Sequence, residues 1–180
     1  MVGFKIIKAD ITRLDVDCIV NAANEQLMAG GGVCGAIFKA AGRDKLQKAC
    51  NAIGHCRTGS AVITPGFDLK AKYIIHTVGP IWRGGGNGER DKLTACYVNS
   101  LELAKENGCH TIAFPLISSG IYGYPVEDAW KAAFEACGYA AENTLLNYDM
   151  DIKFAVLSDN MVRMGMRISD GSYDACVKEV

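Results

Sequence analysis

Neither sign of charge prevails in this chain, because nineteen Lys and Arg oppose twenty Asp and Glu over 180 residues, a net of -1. A protein with no cationic excess has no global field to hold a polyanion through counterion release, so general nucleic-acid binding is not expected and any anion contact must be local. No uncharged run approaches the roughly 18 apolar residues of a membrane span. The opening MVGFKIIKAD carries Lys5, Lys8 and Asp10 and lacks the apolar core and small-residue cleavage site of a secretory signal. Cysteine is present at eight scattered positions, 18, 34, 50, 56, 96, 109, 137 and 176, but without a CxxC pair or the density of a disulfide framework. A reducing, cytoplasmic setting is the expectation.

Low-complexity linkers are also missing. With 49% hydrophobic and 22% charged residues the composition is globular. The length suits one domain over 1–180, able to bury roughly 70% of its unfolded surface in a single core. Cys50, His55 and Cys56 are the one cluster with metal-ligating chemistry, and their spacing matches no standard zinc pattern; buried cysteine often serves simply as a small hydrophobe. Neither a metal nor a cofactor is expected.

Apolar, β-branched runs alternate with segments of helical period, the pattern of a mainly parallel sheet with helices on both faces. The strand-like runs are Phe4–Ile7, Cys18–Asn21, Ala61–Thr64, Tyr73–Val78, Thr111–Pro115 and Lys153–Leu157. Helical period marks Ala36–Ala41 running on towards Cys50, Lys92–Asn107 with its Leu93, Tyr97, Leu101, Ala104 stripe, and Val126–Tyr148. Between them Arg83–Asp91, RGGGNGERD, reads as a mobile surface connection. Beyond Leu157 the pattern weakens, and 160–180 is expected to end in a final helix.

Two glycine-bearing loops each follow a strand and precede a helix, the arrangement that aims free backbone N–H groups at a ligand phosphate. The first, Ala29–Gly35, contains Gly30, Gly31 and Gly32; it reads either as a flexible turn or as a phosphate cradle at a helix N-terminus near Val33. The second, Pro115–Pro125, offers Ser118, Ser119, Gly120 and Gly123 as donors and Tyr122 and Tyr124 as ring surface. Neither is a Walker or GxGxxG fingerprint. Asp10, Asn21 and Asn24 follow the first two strands and so fall at the same sheet edge, where loops distant in sequence converge on one crevice. Asp10 alone reads equally as a helix N-cap before Ile11 and Thr12, and the asparagines as turn formers.

Seven ordered motifs carry a resemblance. Ala9-Asp10-Ile11-Thr12, Val20-Asn21-Ala22-Ala23-Asn24, Gly30-Gly31-Gly32-Val33, Gly35-Ala36-Ile37, Ala40-Ala41-Gly42, Ile75-His76-Thr77-Val78-Gly79-Pro80 and Ile117-Ser118-Ser119-Gly120-Ile121-Tyr122-Gly123-Tyr124-Pro125 closely resemble the macrodomain family. The branch most similar contains O-acetyl-ADP-ribose deacetylases and mono-ADP-ribosyl hydrolases, and the match runs from about Phe4 to Asp159. The resemblance implies a three-layer α/β/α fold with a mixed, mainly parallel sheet, and ADP-ribose or O-acetyl-ADP-ribose as ligand, either free or on ADP-ribosylated proteins. It implies that Asp10 and the Ile11 backbone hold the adenine amino group and that Asn24 positions the distal ribose. The Gly30, Gly31, Gly32, Val33 and Cys34 backbone and that of Ser118, Ser119, Gly120, Ile121 and Tyr122 would bind the diphosphate, with Tyr122 covering the distal ribose. Asn21 is expected to brace the loop and His76 to be a satisfied core histidine.

Two positions depart from the family. Where the hydrolases carry Val-Asp-Gly-Ala-Ile-His, this chain has Val33-Cys34-Gly35-Ala36-Ile37-Phe38, without the carboxylate assigned to water activation; and Ser158 stands where an aromatic often faces adenine. Three readings of Cys34 follow. Water can be activated by the substrate's own phosphate and oriented by Asn24; Cys34 can be a thiolate nucleophile; or the chain can be a non-catalytic reader of ADP-ribose. Hydrolysis of an ester-linked ADP-ribose is the expectation, with Asn24 and Cys34 as its candidate catalytic residues and recognition without cleavage as the alternative.

Overall fold

The structure, a computed structural model, describes residues 1–169 and 174–176. Seven strands, β1 (Val2–Lys8), β2 (Cys18–Ala22), β3 (Ala61–Pro65), β4 (Tyr73–Thr77), β5 (Thr111–Phe114), β6 (Met150–Val156) and β7 (Asp174–Cys176), form one sheet in the order β3-β4-β2-β5-β6-β1-β7. Every neighbouring pair is parallel except β3 with β4. Five helices flank it: α1 (Gly32–Ala41), α2 (Arg43–Ile53), α3 (Glu89–Glu106), α4 (Val126–Glu142) and α5 (Asp159–Ser169).

The two-residue period of the strands divides the core into two layers. Ile6, Val20, Ile75, Ile112 and Phe154 face Leu93, Tyr97, Leu101 and Trp130 on α3 and α4, with Val162 of α5. Their chain neighbours Ile7, Ile19, Ile74, Ala113 and Ala155 face the opposite way, towards Ile37, Phe38 and Leu46 on α1 and α2. Both sheet faces are therefore covered, as parallel pairing requires. The expected three-layer α/β/α architecture with a mixed, mainly parallel sheet is the observed one.

Several boundaries differ from the sequence expectations. The helix expected from Ala36 towards Cys50 is two helices, broken at Gly42, whose φ of +97° suits glycine and whose added Cβ would lie 2.9 Å from the Asp68 carboxylate. Helix α4 stops at Glu142 rather than running to Tyr148, its Asn143 N–H closing on the Tyr139 carbonyl. The final helix is confined to α5, and Asp174–Cys176 is instead an edge strand pairing with Lys5–Ile7; the rest of that tail lies outside the described residues. Of the Arg83–Asp91 stretch, residues 83–88 are exposed as a surface loop should be, but residues 89–91 already belong to α3, which starts ahead of the expected Lys92; nor is the loop a free one, since the N–H groups of Arg83, Gly85 and Asn87 converge on the buried carboxylate of Glu89.

Cys50 and Cys56 are buried, whereas His55 is exposed beside Glu25 at 3.9 Å, so the three do not share one set of surroundings. Among the described residues no group of three or more His, Cys, Asp or Glu could hold a metal ion, and no helix is long and apolar enough to cross a membrane.

Candidate functional site

Because the five parallel strands β1, β2, β4, β5 and β6 point the same way, the loops after them emerge along one edge, and helices α1 and α5 start there. Between these loops lies a crevice of about 650 Å³. Every residue that the resemblance assigns to the ligand lines it: Asp10 and Ile11 after β1, Asn24 after β2, Gly30 to Cys34 at the start of α1, and Ser118 to Tyr122 after β5; Asn21, Gly123 and Tyr124, which the sequence also placed at this edge, do not. Sequence reasoning missed Leu157 and Met161, which line the end next to Asp10 and Ser158. As generic apolar residues at the end of β6 and the start of α5, they carried no distinguishing signal.

The first rim is built around the start of α1. Gly31 is its N-cap and supplies no side chain, so the N–H groups of Gly32, Val33 and Cys34 have no acceptor among the described residues. An added Cβ at Gly31 or Gly32 would meet nothing within 4 Å, because both face the open crevice, and Gly32 has a φ of +57°. Gly35 does a different job: a Cβ there would lie 2.5 Å from the Gly30 carbonyl oxygen, so its absence lets the loop lie flat on the helix. The second rim is held by a strained serine. Ser118 has a φ of +64°, its hydroxyl is buried and unpartnered, and its Oγ occupies the place a Gly79 Cβ would need, 2.2 Å away. Its carbonyl accepts from the Tyr124 N–H, and Gly120 accepts from Gly123, which turns the chain so that the N–H groups of Gly120, Ile121 and Tyr122 have no backbone acceptor among the described residues.

Two rows of free N–H groups thus face one another across a cavity lined by a single carboxylate, Asp10, and by no Lys or Arg. Such an arrangement can bind a phosphorylated anion through backbone dipoles. Asp10 is the N-cap the sequence allowed, its Oδ1 accepting from the Thr12 N–H at 3.0 Å and hydroxyl at 2.7 Å; its other oxygen is not used in these contacts. Asn24 braces its own loop, its Nδ2 donating to the Met28 carbonyl at 2.9 Å and its Oδ1 accepting from the Met28 N–H at 3.0 Å.

Cys34 is 6% exposed, its thiol 3.8 Å from the Met28 carbonyl and 3.7 Å from the Asn21 Nδ2. The same Asn21 nitrogen lies 3.0 Å from His76 Nδ1, whose Nε2 is 2.9 Å from the Thr64 hydroxyl. Asn21 therefore separates Cys34 from the imidazole, and burial lowers the His76 pKa to about 4, leaving it neutral. His76 is the core histidine expected of it. Burial raises the Tyr122 phenol, with Cys34 and Glu25 adding to the effect, so its hydroxyl stays protonated at neutral pH. Ser158 is in the crevice, but its hydroxyl accepts from the Met161 N–H at 3.2 Å at the start of α5; the adjacent apolar surface is that of Met161.

The model of the Macro domain matches residues 20–133. A macro domain-containing protein of Chlorobaculum tepidum is 63% identical over 123 residues, which are 68% of this chain and 71% of that one. A Cronobacter turicensis protein named O-acetyl-ADP-ribose deacetylase is 55% identical over 134 residues, 72% of this chain and 76% of its own. Among solved structures, a mutant Oceanobacillus iheyensis macrodomain with ADPR superposes with a TM-score of 0.85 at 35% identity, covering 92% of this chain and 90% of the other. A Trypanosoma brucei macrodomain in complex with ADP-ribose gives 0.80 at 34% identity, over 92% and 68%. The family model covers both glycine rims of the crevice, and with the relatives and the architecture it shows that the chain belongs to the macro domain family.

Proposed function

We propose that the crevice binds ADP-ribose and that the protein hydrolyses an ester joining its distal ribose to an acetyl group or to an acidic protein side chain. The observation that carries the binding half is the pair of facing N–H rows at Gly32–Cys34 and Gly120–Tyr122, spaced across a cavity without cationic side chains. With Asp10 and Ile11 at one end, and Asn24, Cys34 and Tyr122 at the other, adenine belongs at the first and the distal ribose at the second. The solved relatives with ADPR and ADP-ribose, and the one named a deacetylase, support the same ligand and reaction class.

For the chemistry, the water held by Asn24 attacks the ester carbonyl carbon and passes a proton to an oxygen of the substrate's own diphosphate. The tetrahedral intermediate collapses with cleavage of the acyl C–O bond; the ribose oxygen takes up that proton, and a carboxylic acid departs and ionises. This route asks nothing of a protein carboxylate, which suits a site where Cys34 stands. The thiolate route lacks a base in contact with the thiol, since Asn21 stands between Cys34 and His76, and burial, which lowers the His76 pKa to about 4, makes that imidazole a weak proton acceptor. Incubation of the purified protein with O-acetyl-ADP-ribose, followed by acetate release, tests the reaction; binding of ADP-ribose without release would make the chain a recognition module.

Two expectations follow for binding. A diphosphate held by backbone dipoles in a recessed site is screened far less than one held by surface lysines, so the ADP-ribose Kd should change by less than about threefold between about 50 and about 500 mM NaCl. Calorimetry across that range checks it, and a steep salt dependence would point to a surface site. Asp10→Ala should weaken ADP-ribose and AMP alike by about tenfold, the loss of one charge-assisted hydrogen bond to adenine. Without ligand it should lower stability by about 1 kcal/mol through the lost cap, visible as a reduced thermal midpoint.

A further inference from the structure

Glu89 is the one buried carboxylate among the described residues, at 2% exposure, and nothing in the reaction above uses it. It opens α3 beneath the exposed glycine strap 83–88. One oxygen accepts from the N–H groups of Arg83 at 2.9 Å and Gly85 at 3.2 Å, the other from Asn87 at 2.7 Å. Gly84, Gly85 and Gly88 have φ values of +95°, +87° and +72°, the left-handed geometry that lets the strap fold over a carboxylate. Although burial alone would raise the Glu89 pKa, these backbone donors, with its own N–H, bring it down to about 2, so it stays charged.

The strap leads to the crevice. Trp82, next to its first residue, sets the edge of its indole against Gly85, where an added Cβ would be 2.8 Å from the ring, and its ring packs on Tyr124 with centroids 4.7 Å apart. The Trp82 backbone N–H donates to the Tyr122 carbonyl at 2.8 Å. That bond, with the Tyr124 to Ser118 bond, grips the second rim from outside, at the residue whose ring faces the distal end of the cavity. We infer that Glu89 is a positioning residue for the distal half of the site: by ordering the strap it fixes Trp82, and through Trp82 it sets where Tyr122 stands over the distal ribose. This rests on ADP-ribose occupying the crevice as proposed above. The charge of Glu89 matters because a carboxylate can accept three N–H groups from two oxygens, whereas an amide of the same shape turns one of those oxygens into a donor.

The selective readout is which ligand suffers. AMP lacks the distal ribose and reaches only Asp10, Ile11 and the first phosphate position. Glu89→Gln should therefore weaken ADP-ribose about tenfold while AMP affinity stays within about twofold, and the Trp82 amide should lose its protection against hydrogen exchange. Gly85→Ala reaches the same strap without touching the carboxylate, by forcing a Cβ onto the indole at an exposed position, and should reproduce the pattern even should Glu89→Gln fold poorly. Glu89→Asp should retain part of the affinity that Glu89→Gln loses, because it keeps the charge. Equal weakening of both ligands by both variants would reduce Glu89 to a general stabiliser, and unchanged ADP-ribose affinity or an intact Trp82 amide would remove the link to Tyr122. A parent protein that binds no ADP-ribose at all, with the Trp82 amide still released in Glu89→Gln, would overturn the ligand assignment, and with it any role for Glu89 towards that ligand, while leaving the strap geometry standing.

Discussion

Gly32→Glu is expected to abolish ADP-ribose binding while leaving a folded protein. The position faces open crevice, so the new side chain clashes with no protein atom within 4 Å of its Cβ. It does place a carboxylate beside the free N–H groups at the start of α1, where the diphosphate must come within hydrogen-bond distance of the backbone. Like-charge repulsion and loss of that space act together. The fold carries a separate, smaller cost, since a non-glycine residue at a φ of +57° is strained by roughly 1–2 kcal/mol. Calorimetry with millimolar ADP-ribose should show no heat, and the unliganded thermal midpoint should fall by only a few degrees. A variant that still binds ADP-ribose at parental affinity would move the diphosphate elsewhere on the surface.

The second large effect separates Asn24 from Cys34. With water oriented by Asn24 and deprotonated by the substrate, Asn24→Ala should lower the kcat for O-acetyl-ADP-ribose by roughly ten- to a thousand-fold, the scale of a lost positioning contact. Cys34→Ala should retain most of the activity, because its thiol, packed at the edge of the core, hydrogen-bonds only with the Met28 carbonyl and the Asn21 amide among the described residues. Asn24 also ties its loop to both backbone groups of Met28, so part of its effect will appear as weaker binding. Separate measurement of the ADP-ribose Kd divides the two contributions. An inactive Cys34→Ala beside an active Asn24→Ala, with iodoacetamide inhibition that ADP-ribose prevents, would instead assign a thiolate nucleophile. A parent that releases no acetate, together with a Cys34→Asp variant that does, would identify a reader complete except for one carboxylate.

Most of the sheet and both rims of the crevice were legible from sequence, for a local reason. Pairs such as Ile19–Val20 and Ile74–Ile75 send neighbouring side chains to opposite faces, and an apolar run buried on both sides reads as a central parallel strand without knowledge of its partner. The two glycine loops stand at strand-to-helix junctions, where short-range pattern and ligand geometry coincide. What was not legible depends on contacts distant in sequence. A lone Gly42 in a helical pattern is as compatible with continuation as with a break until Asp68 is seen against it. Asp174–Cys176 is too short and too polar to announce a strand; pairing with Lys5–Ile7 makes it one. Glu89 reads as one more charge of a surface loop ahead of a helix expected from Lys92, and only the strap folded above it, at the start of α3, buries the carboxylate. Met161 lines the cavity because α5 begins beside Asp10, not because of its residue type.

The place of β1 in the sheet bears on how the protein is made. Strand β1 pairs with nothing near it in sequence: its partners are Met150–Val156 on one side and Asp174–Cys176 on the other. At about 5–20 residues per second, β1 waits roughly 7–30 s for β6 to be synthesised, with an apolar edge unpaired throughout. The central strands β2, β4 and β5 are complete much earlier, so the rims around Gly32 and Gly120 can form on a partial sheet. Asp10 and Ile11, carried at the end of β1, take their positions only once β6 has emerged. Closing contacts over such long separations also makes for slow folding. A nascent chain thus has the residues of both glycine rims in place before the end of the crevice lined by Asp10 and Ile11.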